Sequence, residues 1–262
     1  MSDGPPLRYG VTGTDTGVGK TVVACALLAR ARQLGITVAA MKPVETGVPQ
    51  GANDALDTGD AWRLRRAGGD ARSLELIRPY AFPEPLAPMV AAARAGVDID
   101  LGVLDAVCEQ LSASRNLLLV EGAGGLLVPI TATVSFADLF ARWGCGVIVV
   151  AGNRLGVVNH ALLTVRAAEA ARLPVSAVVL TSLAPHDLDV AMSTNYEALV
   201  ALLPGHRVFR FPWIEQPDDL DALAAAASAS GLDVLLAASL ISSAAVSPAA
   251  MASEVGAHPF SP

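Results

Sequence analysis

Lysine is nearly missing from this 262-residue chain: of its 18 basic residues only Lys20 and Lys42 are lysine, and the rest are arginine. A chain that uses Arg wherever a positive charge is needed keeps Lys where a compact, tunable ammonium is required. Both lysines fall in segments bounded by Gly or Pro at apparent strand ends, which marks them for function. Aromatic residues are also scarce at 5%, so the 53% apolar content is mostly Ala, Val and Leu, the composition of helices packed on a buried parallel sheet. No dense basic cluster exists and the net charge is −7, which argues against a nucleic-acid partner. Arg63, Arg65 and Arg66 read as one solvated helix face. The cysteines, Cys25, Cys108 and Cys145, are too widely spaced for a zinc set and odd in number for disulfides, so buried free thiols in a reducing compartment are expected. His160, His186, His206 and His258 show no ligand spacing. Met1 to Leu7 has neither the basic nor the apolar part of a signal peptide. Ala222 to Val246 is apolar but interrupted by Gly231 and Asp233, so it reads as two helical segments on the surface or at a subunit contact. A cytoplasmic protein without a membrane partner follows as the expectation.

What is present is an alternation of strands and helices. Apolar runs at Arg8 to Thr12, Thr37 to Met41, Asn116 to Val120, Gly146 to Ala151, Val175 to Leu180 and Val208 to Phe211 read as strands. Helical spacing recurs at Thr21 to Leu34, Asp60 to Ala67, Leu101 to Leu111, Asn159 to Arg172 and Asp187 to Leu202. The expected fold class is α/β, a doubly wound and mostly parallel sheet flanked by helices, and the glycine-rich segment Gly13 to Thr21 after the first strand makes the expected type that of a P-loop NTPase. No linker or repeat divides the chain, so one domain is expected over 1–246, with a flexible Ser, Ala and Pro-rich tail over 247–262.

The strongest local motif is Gly13-Thr14-Asp15-Thr16-Gly17-Val18-Gly19-Lys20-Thr21, between the first strand and the first helix. Backbone amides and a helix N-terminus there aim positive dipoles at one spot, and Gly17 and Gly19 let the chain approach phosphates closely. Lys20 is placed to reach the β- and γ-phosphates and the Thr21 hydroxyl to ligate Mg²⁺. The loop is one residue longer than the common spacing between its outer glycine and Gly-Lys-Thr. Such a loop indicates a nucleoside triphosphate but not which reaction it serves. Lys42, held extended by Pro43, is expected on a strand that neighbours the first, at the C-terminal rim, where ligands of open α/β sheets bind. There an ammonium can stabilise charge that develops during phosphoryl transfer. Glu121 ends an apolar strand and precedes Gly122, Gly124 and Gly125, the position of a metal-serving carboxylate. Spacing alone leaves Asp60 open between a helix N-cap and a metal ligand.

Five ordered segments together resemble the dethiobiotin synthetases: Val11 to Thr21, Lys42-Pro43-Val44-Glu45-Thr46-Gly47, Val120-Glu121-Gly122-Ala123-Gly124-Gly125, Arg154 to Thr164, and Phe211-Pro212-Trp213-Ile214. The resemblance implies an ATP-dependent ligase of biotin synthesis that carboxylates 7,8-diaminononanoate with CO₂ and closes a ureido ring, as a homodimer with Mg²⁺. The implied course is a carbamate, its phosphorylation by ATP, and attack by the second amine with loss of phosphate. It implies catalytic roles for Lys42 and Lys20, and magnesium on Thr21, Asp60 and Glu121. Nucleotide contacts are implied along the loop through Gly17, Val18, Gly19 and Val22, and at Gly122, Ala123 and Gly124. A base pocket is implied from Thr181, Ser182, Pro212, Trp213 and Ile214, although Thr181 stands where an adenine-reading Asn is common, and Gly17 where some members carry an acid. The diamine end is implied at Thr46. Its carboxylate is implied at Leu155, Gly156, Val157, Val158 and Asn159, with Tyr196 nearby and the contact made by the second subunit. Two alternatives stand beside this reading: a related P-loop amide-forming ligase, and a partitioning-type ATPase switch. The first usually carries a glutaminase domain with a nucleophilic cysteine, for which nothing past residue 215 offers a candidate. The second usually carries a lysine early in the loop, where this chain has Gly13 and Thr14.

Overall fold

Apolar runs such as Leu117-Leu118-Leu119-Val120 cannot face water on either side, and the molecule buries six of them in one sheet. The structure is a computed structural model that describes residues 6–48, 59–185 and 190–239. The strands are β1 (Leu7–Gly13), β2 (Val38–Met41), β3 (Val44–Thr46), β4 (Tyr80–Phe82), β5 (Leu117–Gly125), β6 (Gly146–Gly152), β7 (Val175–Thr181) and β8 (Val208–Phe211). The helices are α1 (Lys20–Gln33), α2 (Asp60–Gly68), α3 (Leu74–Ile77), α4 (Pro88–Ala95), α5 (Leu101–Ser112), α6 (Phe136–Arg142), α7 (Val157–Ala170), α8 (Val190–Leu202) and α9 (Leu220–Ala229). The main sheet runs β2-β5-β1-β6-β7-β8, every pair parallel, and β3 and β4 form a separate parallel pair. Parallel strands need crossovers, and helices on both faces supply them. One face is sealed by Val120, Phe136, Phe140 and Val149, the other by Val11, Leu27, Leu119 and Val150, all fully or almost fully buried.

Two sequence expectations change. Lys42 follows a strand that pairs with β5, not with β1, because β5 is inserted between them with Met41 opposite Val120. The apolar stretch from Ala222, expected on the surface or at a subunit contact, packs into the core over its described residues, which end at 239. Leu223, Ala224 and Ala227 of α9 are buried in the same cluster as Leu27 and Leu28 of α1, and Leu232 and Leu235 follow them into it. The Tyr9 hydroxyl donates to the Leu235 carbonyl at 2.9 Å, and Arg30 makes a two-pronged ion pair with Asp233. Alanine-rich helices hide this role because a small side chain buries well without a strong apolar signature. The segments β3, β4, α3, α4 and α6 were too short to leave a periodic signal.

All three cysteines are buried and unpaired, and burial pushes the thiols up, Cys108 to about 11 and Cys145 to about 12. Among the described residues no helix is long and apolar enough to cross a membrane. His186, His258, the first residues of the helix expected from Asp187, and the expected tail over 247–262 lie outside the described residues.

Candidate active site

The phosphate loop leaves β1 at Gly13 and enters α1 at Lys20. Gly17 and Gly19 have φ of 70° and 90°, the left-handed region that disfavours a side chain. Gly19 is the N-cap of α1, no side chain caps that end, and no acid lies in the first turn. The helix therefore presents uncompensated amides to whatever the loop holds. Lys20, only 7% exposed, turns its Nζ to the Asp15 carbonyl at 3.0 Å, within the loop itself. Burial lowers its pKa, and the Glu121 carboxylate partly offsets that. Val18 is buried under the loop and Val22 is half-buried in the first turn. Arg154 reaches across to Asp15 at 2.7 Å, tying the loop to the segment that precedes α7.

Beside the loop stands a second constellation, assembled from three separate segments. Lys42 Nζ lies 2.6 Å from Asp60 Oδ2, 2.6 Å from Glu121 Oε1 and 3.3 Å from the Gly122 carbonyl oxygen. The Thr21 hydroxyl donates to the same Glu121 Oε1 at 2.9 Å, so the loop and the cluster share one carboxylate. Insertion of β5 next to β2 is what places Glu121 against Lys42. Burial pushes the Glu121 carboxyl up to about 7 against the pull of Lys42. Burial also works to raise Asp60, but Lys42 outweighs it and holds that carboxyl down at about 2. For Lys42 burial is opposed by both carboxylates, which keep the ammonium above the ordinary lysine value. Asp60 is the first residue of α2 and Gly59 is the N-cap, so the helix-cap reading of Asp60 does not hold.

The residues present suit a magnesium ion. Glu121 Oε2 is fully buried yet has no hydrogen-bond partner, an arrangement that is costly unless something occupies it. Thr21, Asp60 and Glu121 offer hard oxygen donors, the kind that Mg²⁺ takes beside phosphate oxygens. Among the described residues no three His, Cys, Asp or Glu side chains gather as a metal set, here or elsewhere, so the donors at this site are two carboxylates and one hydroxyl.

The remaining candidates separate into those brought to the rim and those turned away. Gly122, Ala123 and Gly124 follow Glu121 on β5. A Cβ on Gly124 would lie 3.1 Å from Val128 and 3.7 Å from Thr16, so the chain passes tightly beside the phosphate loop there. Thr46 closes β3, half-buried, four residues beyond Lys42. Gly156 is the N-cap of α7 with φ of 90°, has no side-chain cap, and is followed by a first turn without acids. Val157 is buried, Leu155 is 80% exposed, and the amides of Val158 and Asn159 have no acceptor within the helix. Ser182 donates its amide to the Phe211 carbonyl at 2.9 Å, and Phe211 leads on to Pro212, the exposed Trp213 and the half-buried Ile214.

Two further candidates spend their polar groups on the protein itself. Thr181 is only 3% exposed, and its hydroxyl donates to the Val18 carbonyl at 2.7 Å, with Ala151 O at 3.2 Å. It supports the phosphate loop from below. Tyr196 stacks under the Arg210 guanidinium at 4.4 Å and donates its hydroxyl to Val208 O on β8 at 3.4 Å. Its neighbour Asn195 faces the segment before α7, donating to Asn153 Oδ1 at 2.9 Å and to Arg154 O at 3.2 Å. Asn153 in turn donates to Met192 O, so two buried amides lock the loop before α7. Sequence reading passed over both. A buried Asn one residue from an aromatic gives no local signal beyond its side-chain type.

Comparison with known proteins covers this whole assembly. A family model described as an AAA domain matches residues 8–220. The ATP-dependent dethiobiotin synthetase BioD of Anaeromyxobacter dehalogenans (strain 2CP-C) is 44% identical over 208 residues, which are 79% of this chain and 90% of that protein. The corresponding BioD 1 of Salmonella typhi is 40% identical over 208 residues, 79% of this chain and 90% of its own. BioD of Pseudescherichia vulneris is 38% identical over 234 residues, 84% and 95% of the two chains.

Proposed function

The chain belongs to the ATP-dependent dethiobiotin synthetase family, and we propose on that footing how its residues divide the reaction. It is a ligase, and its work is the ATP-dependent ring closure of biotin biosynthesis. The substrates in this reading are 7,8-diaminononanoate, CO₂ and ATP. One amine takes up CO₂ as a carbamate, the γ-phosphoryl group of ATP passes to a carbamate oxygen, and the second amine attacks that carbon and expels phosphate. The carbamate and its phosphorylated form are anions, so the site needs placed positive charge more than a strong acid or base.

The observation that carries the reading is the position of Lys42: a buried ammonium on the rim, next to the phosphate loop, held by two carboxylates at 2.6 Å each. Lys20 and the loop amides from Gly17 to Val22 hold the triphosphate. Lys42 orients the carbamate and stabilises the charge on the migrating phosphoryl group. Thr21, Asp60 and Glu121 are the residues to hold Mg²⁺, which when bound offsets the charge of the phosphate oxygens. Thr46 contacts the diamine end, and the α7 start from Leu155 to Asn159 takes the substrate carboxylate. That last contact lies on the exposed side of the molecule, which favours a homodimer with each site completed by a second copy. Ser182 with Pro212, Trp213 and Ile214 frames the base.

The test is direct. Purified protein with MgATP, bicarbonate and 7,8-diaminononanoate should release phosphate only when the diamine is present. Release that is indifferent to the diamine would sink the ligase assignment of this site.

A further inference from the structure

Helix α2 begins at Asp60, and its first amides are not capped by the residue before it. Gly59 sits at φ −68°, an ordinary value that a Ser or Asp could also adopt to cap the helix locally. The cap comes from Glu45 on β3, 15 positions earlier in sequence. Glu45 Oε1 accepts the Asp60 N–H at 2.5 Å, and Oε2 accepts the Ala61 N–H at 3.3 Å. Arg78, just past α3, donates to Oε2 at 2.8 Å, and the two side chains are only 9% and 6% exposed. One residue before Arg78, the Ile77 carbonyl accepts the Lys42 backbone N–H at 2.8 Å. The contacts close a ring: Lys42 backbone to Ile77, Arg78 to Glu45, Glu45 to the Asp60 backbone, and the Asp60 carboxylate back to Lys42 Nζ.

A buried ion pair is a costly way to cap a helix, since desolvation of both charges offsets much of their attraction. A local cap would stabilise α2 equally well. What the ring adds is a fixed distance between the Asp60 carboxylate and the Lys42 ammonium, which sit on different segments of chain. We propose that Glu45, braced by Arg78, is a positioning residue that sets Asp60 for metal binding and for its contact with Lys42. This rests on the assignment of Asp60 to the metal given above. Glu45 touches neither nucleotide nor substrate in this scheme; it acts through the start of α2.

The experiment measures Mn²⁺ binding to the ADP complex of the full chain by electron paramagnetic resonance, beside the Mg²⁺ dependence of turnover. Glu45→Ala should weaken Mn²⁺ binding about tenfold, the scale on which partners of metal ligands act. The KM for the diamine should stay within about twofold, because substrate contacts are untouched. Glu45→Gln keeps one acceptor for the Asp60 N–H and the same volume, so it should lose a few-fold only, and it decides the matter if the Ala variant does not fold. In an Asp60→Ala background neither Glu45 variant should weaken Mn²⁺ binding further. Unchanged Mn²⁺ binding in Glu45→Ala, or an equal loss in the Asp60→Ala background, overturns the positioning role. If Asp60→Ala itself leaves Mn²⁺ binding intact, the metal assignment of Asp60 fails first and the role of Glu45 falls with it.

Discussion

The phosphate loop and the Lys42 cluster share a rim and a carboxylate, yet they are built in opposite ways. The loop is one continuous stretch from Gly13 to Thr21, made of backbone amides and two left-handed glycines, with its lysine turned onto the loop's own Asp15 carbonyl. The cluster has no such continuity: Lys42, Asp60 and Glu121 come from three segments and meet only because β2, α2 and β5 pack together. In the proposed reading the loop binds through dipoles that are fixed when the helix forms, and the cluster works through charges whose protonation depends on one another. A change in the loop should therefore be felt as nucleotide affinity, and a change in the cluster as chemistry.

The sharpest way to break that contrast is Lys42→Arg. A planar guanidinium cannot replace a compact ammonium between two carboxylates, so turnover should fall by a factor of about 10³, while nucleotide binding by calorimetry stays nearly unchanged. Full turnover in this variant would remove Lys42 from the chemistry. Next in size is Lys20→Arg, which puts a broad planar guanidinium where a buried ammonium meets the Asp15 carbonyl. Nucleotide affinity should drop by roughly 10- to 100-fold, with whatever turnover remains at saturation far closer to normal than in Lys42→Arg. Equal losses of affinity and turnover in both variants would erase the distinction.

Proton linkage gives a third probe. The Glu121 carboxyl is raised to about 7 by burial, so in metal-free protein its ionisation opposes folding. Its contribution is intact below the ordinary carboxylate range and is lost as pH rises from about 4.5 through 7. Asp60, held at about 2 by Lys42, has the opposite sign: it stabilises above its ordinary value of 3.8 and loses that contribution as pH falls toward 2. Glu121→Gln should therefore melt at a higher temperature than the parent near pH ~8 without metal, and the gap should close near pH ~4. A gap that is flat with pH would mean Glu121 is not ionised against its environment. The smallest effect belongs to Thr181→Val, which removes one buried hydroxyl bond to the loop at Val18. A loss of about 1 kcal/mol should appear as a several-fold weaker nucleotide affinity and an unchanged pH response. An altered choice between purine and pyrimidine triphosphates would instead return Thr181 to the base pocket.

The legibility of the molecule follows the same division. The strand, loop and helix around Lys20 could be read because each signal lies within about twenty residues: an apolar run, glycines, then helical spacing. Glu121 was visible too, as an acid that no apolar strand would carry without a purpose. Asp60 could not be decided by spacing, because an acid at a helix start is ordinary; the structure assigned the cap to Glu45, a residue with no local signal. Tyr196 entered only through the family resemblance, whereas the neighbouring Asn195 holds the loop before α7.

Residues adjacent along the chain thus marked the phosphate loop and the parallel α/β class, and the scarcity of lysine across the whole chain pointed to Lys20 and Lys42. Packing alone decided which strands are neighbours. Periodicity tells which face of a strand is buried but not which strand lies beside it, since every parallel pair uses the same backbone bonds. With β5 placed between β2 and β1, Lys42 meets Glu121 and shares it with Thr21, and the second lysine gains a site that its own segment does not contain.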